Sequence, residues 1–235
     1  MSKKNIASRY KGEQGEQYSL YRSQDELSHY GYHLQAKFFL PYLSREMRVL
    51  DFGCGNGSMA KMIEPHVKEI EGLEVNDLPR SLAQDKHRLT VHATLAEISS
   101  DNKYDAIISN HVLEHVPCVV DILRELSTLL VPGGRLIIVL PIDDFRASEN
   151  RQWQGEDINH HLHTWTPRLF ANTLFESSLT PQELRVVTSA WHHKTFFLGD
   201  GVLQAVFGRI FSTLKRRRQL FVYAQKAEIS IAKSQ

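Results

Sequence analysis

Residues 49–57 read Val-Leu-Asp-Phe-Gly-Cys-Gly-Asn-Gly, an apolar run ending in glycines at 53, 55 and 57. A short apolar run bounded by glycine reads as a buried strand. Glycine lacks a Cβ and tolerates positive φ, so such a turn brings backbone N–H groups close to a ligand. Ser58-Met59-Ala60-Lys61-Met62-Ile63 follows with a helical pattern. The order strand, tight turn, helix is the nucleotide-cradling unit of α/β folds. The next apolar run, Ile70 to Val75, carries Glu74 near its end. A carboxylate there accepts hydrogen bonds from a ribose diol. A dinucleotide fingerprint places its third glycine five residues after the first, and Ser58 occupies that position here. The spacing therefore argues against a nucleotide-dependent oxidoreductase.

Further along, strands and helices alternate. Strands are expected at 47–52, 70–75, 88–93, 104–109 and 135–140, and helices near 57–65, 77–86 and 118–130. Alternation of this kind implies a parallel sheet with right-handed crossovers, and ligands then sit beyond the carboxyl ends of the strands. Leu27, Tyr30, Leu34 and Phe38 recur at helical spacing within 24–43, behind a polar arm over 1–23. After Pro141 a polar, histidine-rich stretch (142–165) reads as a lid-like loop. Thr166 and Pro167 are suited to the N-cap and first turn of a helix over 168–178. Two last strands are expected at 183–189 and 219–225. The segments are thus 1–46 (arm and helix), 47–141 (core), 142–182 (cap) and 183–235 (final strands with an intervening helix).

The motifs together resemble class I S-adenosylmethionine (SAM)-dependent methyltransferases. The glycine loop with Asp51 before it and Glu74 after it is similar to their motif I and following acidic position. Residues 104–116, ending Asn-His-Val-Leu-Glu-His-Val, are similar to the family's fourth strand and its LEHV signature. Leu130-Val131-Pro132-Gly133-Gly134-Arg135-Leu136 is similar to the turn into strand five. The resemblance covers about residues 47–180. It implies a Rossmann-like, seven-stranded, mostly parallel sheet with helices on both faces, an N-terminal helical arm and a cap insertion. It also implies SAM as cofactor, S-adenosylhomocysteine as product and a small-molecule acceptor methylated on oxygen or nitrogen.

Carried onto this sequence, the resemblance gives Gly53, Cys54, Gly55 and Gly57 to the methionine portion of the cofactor. Asp51 positions the loop or binds the cofactor's amino group through water, or else only caps backbone N–H groups. Glu74 holds the ribose, and Val75 lines the adenine edge. Thr94 stands where the family carries an acidic residue for the adenine amino group, with Leu95 N–H beside it. Asn110 and His111 meet the cofactor's methionine end. Glu114 and His115 open the next helix; a hydrogen bond there is expected of Glu114, and His115 is left undecided. A non-catalytic SAM-binding protein, regulatory or assembling, is the alternative to an enzyme.

Asn159-His160-His161-Leu162-His163-Thr164-Trp165 supplies candidates for a general base, since imidazole titrates near neutrality. His160 and His161 lead, with His192 and His193 behind them. His161 and His163 alternate as metal ligands on one strand face would, but no Cys or acidic partner stands at a diagnostic spacing, so no metal is expected. This segment looks like that of methyltransferases acting on saccharides, and a saccharide acceptor follows as the specific expectation.

A formal net charge of +1 gives no electrostatic case for nucleic acid. Two cysteines, Cys54 and Cys118, are too few for a disulfide framework. With no apolar leader and no long apolar run, a cytoplasmic setting is expected, as a monomer or homodimer. Residues 198–214 form an amphipathic stretch with Leu203, Val206, Phe207, Ile210, Phe211 and Leu214 on one stripe, ahead of Lys215-Arg216-Arg217-Arg218. The favoured reading packs the stripe on the domain or a partner copy, with the cations offsetting the helix dipole. Contact with a membrane surface, or with an anionic, lipid-linked substrate, is the competing reading.

Overall fold

The computed structural model describes residues 12–23, 26–101, 103–142, 160–188, 193–199 and 201–228. Its strands are β1 (Arg48–Phe52), β2 (Glu69–Leu73), β3 (Val91–His92), β4 (Tyr104–Asn110), β5 (Leu130–Ile142), β6 (Leu179–Thr188) and β7 (Arg218–Lys226). They lie in one sheet in the order β3-β2-β1-β4-β5-β7-β6. β1 to β5 pair in parallel, and β7 runs antiparallel to both β5 and β6. Only β7 is reversed, so the expected seven-stranded, mostly parallel sheet is the one observed.

Strand parity decides which side chains meet which helices. On one face Leu50, Phe52, Ile107, Leu136, Ile138, Leu220 and Val222 pack under α5 (Val119–Leu129) and α6 (Pro167–Glu176). On the other, Val49, Ala106, Ile108, Ile137, Val139 and Phe221 pack under α2 (Glu26–Phe39), α3 (Ser58–Ile63) and α4 (Asp77–His87). The periodicity of α5 does this directly: Val119, Ile122, Leu123, Leu126 and Leu129 are all buried. Each such side chain contributes roughly 1.5–3 kcal/mol of transfer free energy. Thr166 caps α6 by accepting from Leu169 N–H, with Pro167 opening the helix as its sequence predicts.

Several boundaries differ from expectation for local reasons. The leading helical region is two helices, α1 (Gly12–Ser23) and α2, so part of the polar arm is helical. β3 holds only two residues because Arg88, at φ 56°, is used as the left-handed C-cap of α4. β5 begins at Leu130, five residues early, because Leu130 already pairs with Tyr104; the register then shifts before Arg135 meets Ala106. The final helix, α7 (Val202–Leu214), starts later than expected, after a 3-10 turn over His193–Leu198. Residues 143–159, most of the expected lid, lie outside the described residues, as do His192 and the side chain of His193. Among the described residues no helix is long and apolar enough to cross a membrane.

Candidate functional site

The carboxyl ends of β1, β2 and β4 converge on the glycine loop. Gly53 and Gly57 take φ of +79° and +78°. A Cβ on Gly53 would lie 2.3 Å from Val112 Cγ2, and one on Gly57 would lie 2.7 Å from Leu89 Cδ1. These two glycines are required by packing as well as by φ. Gly55 differs: among the described residues nothing lies within 4 Å of its would-be Cβ. The loop therefore has a closed side against the protein and an open side available to a ligand. Cys54 is held by its backbone, since Gly53 and Cys54 N–H both donate to Leu73 O (2.8 and 3.1 Å). Its thiol is buried toward Gly72, and that burial pushes its pKa well up, which makes it a packing group and a poor nucleophile.

Glu74 reaches back to this loop. Its Oε2 accepts from Gly55 N–H (3.1 Å) and its Oε1 from Asn76 N–H (2.8 Å). Each oxygen keeps a lone pair for a further donor. Burial raises its pKa, against the lowering effect of those N–H groups and of Arg80. Asn76 accepts from Leu78 N–H as the N-cap of α4, and Val75 packs on the core beside it.

Asp51 is wholly buried, and among the described residues neither carboxyl oxygen has a hydrogen-bond partner. The capping role open to it from sequence is therefore not the one the structure gives it. Burial, and then the neighbouring Glu74, push its pKa up to about 8. The contrast with Glu71 is instructive. That carboxylate, also buried, is met by Tyr104 Oη (2.8 Å), His92 Nε2 (2.8 Å) and Arg48 Nη2 (3.1 Å). A buried carboxyl left without partners, beside an open loop, is what a cationic ligand group would satisfy. Asn110, at the end of β4, also has a buried oxygen with no partner among the described residues. These orphaned acceptors, the open side of Gly55 and the free lone pairs of Glu74 fit an aminoacyl nucleoside.

At the far side of the crevice, Thr94 begins a 3-10 turn over Leu95–Glu97, and Leu95 is buried beneath it. Glu97 Oε2 accepts from Ala93 N–H (2.7 Å), and the Thr94 hydroxyl lies 3.5 Å from Glu97 Oε1. An acidic group thus stands near the position where the sequence offers only Thr94. Its signal was an acidic residue three places downstream of Thr94.

Beyond the loop lies a second group. His111 takes φ +56° and donates its N–H to Val139 O (2.9 Å). The Gln219 amide donates to His111 Nε2 at 2.9 Å, with Gln35 Nε2 3.5 Å away. The tautomer that fits this contact puts the His111 hydrogen on Nδ1, which lies 3.6 Å from Glu114 Oε1. Glu114, fully buried, sits in a 3-10 turn ahead of α5 and also faces His115 Nε2 at 3.7 Å. Its backbone carbonyl accepts from Leu162 N–H (2.8 Å) and His163 N–H (3.3 Å), which ties the histidine segment to β4. This is a different use of Glu114 from the helix-opening bond expected of it.

The four histidines named around this segment divide. His161 stacks on His115 with ring centroids 5.1 Å apart. Glu114, His115 and His161 each bring a ligand atom within 4.8 Å of one another. His160, at φ 45°, offers its carbonyl 3.4 Å from His115 Nδ1. His163 points its Nε2 at Val116 O (2.9 Å) and packs on Trp165, so it serves the fold. The acidic partner missing from the linear spacing is Glu114, and the histidine it joins is His161 rather than His163.

A Rossmann-like sheet with a Gly-x-Gly-x-Gly loop, a ribose-suited carboxylate and an orphaned buried acid defines a SAM-binding domain of the class I kind. A family model described as a methyltransferase domain matches residues 26–181, more than half of the chain. The chain belongs to that family, with the fold and the cofactor, SAM, of class I methyltransferases. It is 31% identical over 100 residues to a ubiquinone biosynthesis O-methyltransferase of Aeromonas salmonicida (strain A449), covering 39% of this chain and 42% of the relative. Over 99 residues it is 27% identical to the protein of that name in Stutzerimonas stutzeri (strain A1501), covering 38% and 42%. The matched segment is thus under half the length of these relatives. Among solved structures, a chain of the Haloferax volcanii complex between the Trm112 methyltransferase activator and its methyltransferase superposes with a TM-score of 0.67 at 14% identity, covering 90% of this chain and 98% of that one. The N-methyltransferase NodS of Bradyrhizobium japonicum WM9, solved with S-adenosylhomocysteine, superposes with a TM-score of 0.57 at 15% identity, covering 87% and 89%.

Proposed function

We propose that this chain transfers the methyl group of SAM to a hydroxyl oxygen of a small molecule. The observation that carries this reading is the buried, partnerless Asp51 beside Glu74 and the open side of Gly55, with a carboxylate–imidazole group next to them. SAM supplies an electrophilic methyl on a sulfonium centre. In this reading Asp51 receives its ammonium group, Glu74 the ribose hydroxyls, and Thr94 with Leu95 the adenine edge. Gly53, Gly55, Gly57, Cys54, Asn110 and His111 shape the methionine end. The protein's remaining tasks are to align the acceptor and to take its proton. An oxygen acceptor is supported by the two relatives named as O-methyltransferases and by the base that a hydroxyl requires. A saccharide is the narrower acceptor class proposed, on the likeness of the histidine segment. The test is transfer of a labelled methyl group to panels of saccharide hydroxyls, phenols and amines. Labelling confined to hydroxyl acceptors is expected. Tight S-adenosylhomocysteine binding with no transfer to any panel would favour a non-catalytic SAM-binding protein.

Asp51 gives this reading a pH signature. Its pKa of about 8 in the free protein lies far above the ordinary 3.8. A bound ammonium group would favour the ionised form and lower it, so binding expels a proton. Affinity for S-adenosylhomocysteine should therefore rise with pH, by up to about tenfold per unit below pH 8, and level off above it. Stability of the free protein runs the other way. With the folded pKa raised, Asp51's contribution is full below pH 3.8 and is lost as pH rises through about 8. Asp51→Asn should weaken binding and flatten both slopes. Calorimetry across pH, in buffers of different ionisation enthalpy, checks the sign through proton release.

Glu114, His115 and His161 support a second reading of their own. One carboxylate and two imidazoles are a donor set suited to a divalent cation, which would polarise an acceptor oxygen directly. Turnover abolished by chelation and restored by added metal would favour the cation; turnover indifferent to chelation leaves the histidine as base.

A further inference from the structure

The helix between β6 and β7 turns its apolar side outward. α7 buries Gln204, Gly208 and Ser212, one small or polar residue every fourth position. The Gln204 amide donates to Thr195 Oγ1 at 3.3 Å. The opposite face carries Val202, Leu203, Val206, Phe207, Ile210 and Leu214, each between 43% and 80% exposed. The reading in which this stripe packs on the domain is thereby overturned. Gly208 and Ser212 have little bulk and let the helix lie close on that side, where Gln204 is held by Thr195, and the large apolar residues face solvent. Single exposed apolar residues need no explanation, but a contiguous row along a helix marks an interaction surface.

Charge identifies what covers it. Arg209 lies in the helix and Lys215, Arg216, Arg217 and Arg218 follow it, with no carboxylate anywhere from Val202 to Gln219. An apolar band joined to a cationic run is the composition of a helix lying in the interface of an anionic bilayer. A second copy packed across the same band would set this run against an equally acid-free helix. Anionic headgroups satisfy the band and the run together.

Topology places this surface. Arg218 pairs with both Ile142 and Thr188, at the carboxyl edge of the sheet. The connection from β6 to β7 therefore leaves and rejoins the sheet on the edge that carries Asp51, Glu74 and His111. Gln219, adjoining the cationic run, reaches His111 itself.

We propose that α7 and the Lys215–Arg218 run dock the chain on an anionic lipid bilayer, on the side of the molecule where the cofactor edge lies. The full chain, sedimented with vesicles, should partition onto mixed phosphatidylcholine–phosphatidylglycerol and much less onto phosphatidylcholine alone, with binding weakened by salt. Phe207→Gln/Ile210→Gln should reduce the partition coefficient by about tenfold or more, since both residues are exposed in the free protein. Arg216→Gln/Arg218→Gln should reduce it only on anionic vesicles. Unchanged cooperative thermal unfolding shows that the variants remain folded, whatever their activity. Absence of wild-type partition onto anionic vesicles, or partition that neither variant lowers, overturns the proposal. So does a wild-type dimer that Phe207→Gln/Ile210→Gln converts to monomer while vesicles are ignored, which would assign the face to a second copy.

Discussion

Replacing Glu74 by alanine should weaken S-adenosylhomocysteine binding at least a hundredfold while leaving the protein folded. Both carboxylate oxygens already accept one backbone N–H, from Gly55 and Asn76, so each is fixed in direction before any ligand arrives. Two ribose hydroxyls donating to this charged, pre-oriented group contribute about 1.5 kcal/mol each at the low end. Together they amount to about 3 kcal/mol, more than a hundredfold in affinity. The variant also frees Gly55 N–H, loosening the glycine loop. Burial already raises the Glu74 pKa, so removing the carboxylate relieves a desolvation penalty, and no large fall in melting temperature should accompany the loss. Glu74→Gln, which keeps one acceptor oxygen and loses the charge, should fall between. Calorimetry and thermal unfolding on the three proteins separate the possibilities. Unchanged affinity with a lowered melting temperature would make Glu74 a brace for the loop only.

That prediction rests on residues legible in the sequence, and the reason is their locality. The glycine loop, Glu74 and the N-cap Thr166 depend on neighbours within a few positions, so residue type and spacing carry the signal. The strand pattern was legible for the same reason, because burial on both faces writes continuous apolar runs. Boundaries were less so. Arg88 reads as strand, yet a helix C-cap claims it.

What the sequence hid depends on long connections or on direction. Glu114 and His161 are 47 positions apart, and β5 and the histidine segment must be folded before they meet. Spacing rules for metal or base clusters look along the chain and so paired His161 with His163. The apolar stripe of α7 was visible, but a stripe does not state which way it faces. The deciding information was the small, polar row of Gln204, Gly208 and Ser212 opposite, which permits close approach without filling a core. Asp51 was visible as a type and not as a state. That neither of its oxygens has a hydrogen-bond partner among the described residues depends on which groups the fold brings beside it, not on its place in the sequence.

The largest effect on turnover is expected from His161→Ala. If the acceptor is a hydroxyl, its proton must leave as the methyl arrives, and a placed base is worth about 10²–10⁴-fold. His161 is the imidazole of its segment that joins the buried Glu114 through His115, and a buried carboxylate beside that group stabilises the imidazolium formed when the proton is taken. Turnover should fall by about 10²-fold or more, with S-adenosylhomocysteine affinity nearly unchanged, because Asp51, Glu74 and the glycine loop are untouched. With SAM saturating, so that Asp51 does not set the pH dependence, any rise of the wild-type rate with pH that comes from deprotonating the base should vanish in the variant. His163→Ala offers the contrast: its ring holds Val116 O and packs on Trp165, so stability should fall and the pH dependence should persist. Glu114→Gln keeps the volume and removes the charge, and should cost an intermediate factor. A rate that tracks His163 but ignores His161 would move the base elsewhere. A pH rise that survives in His161→Ala with the rate unaltered would leave alignment of the acceptor alone to account for the chemistry.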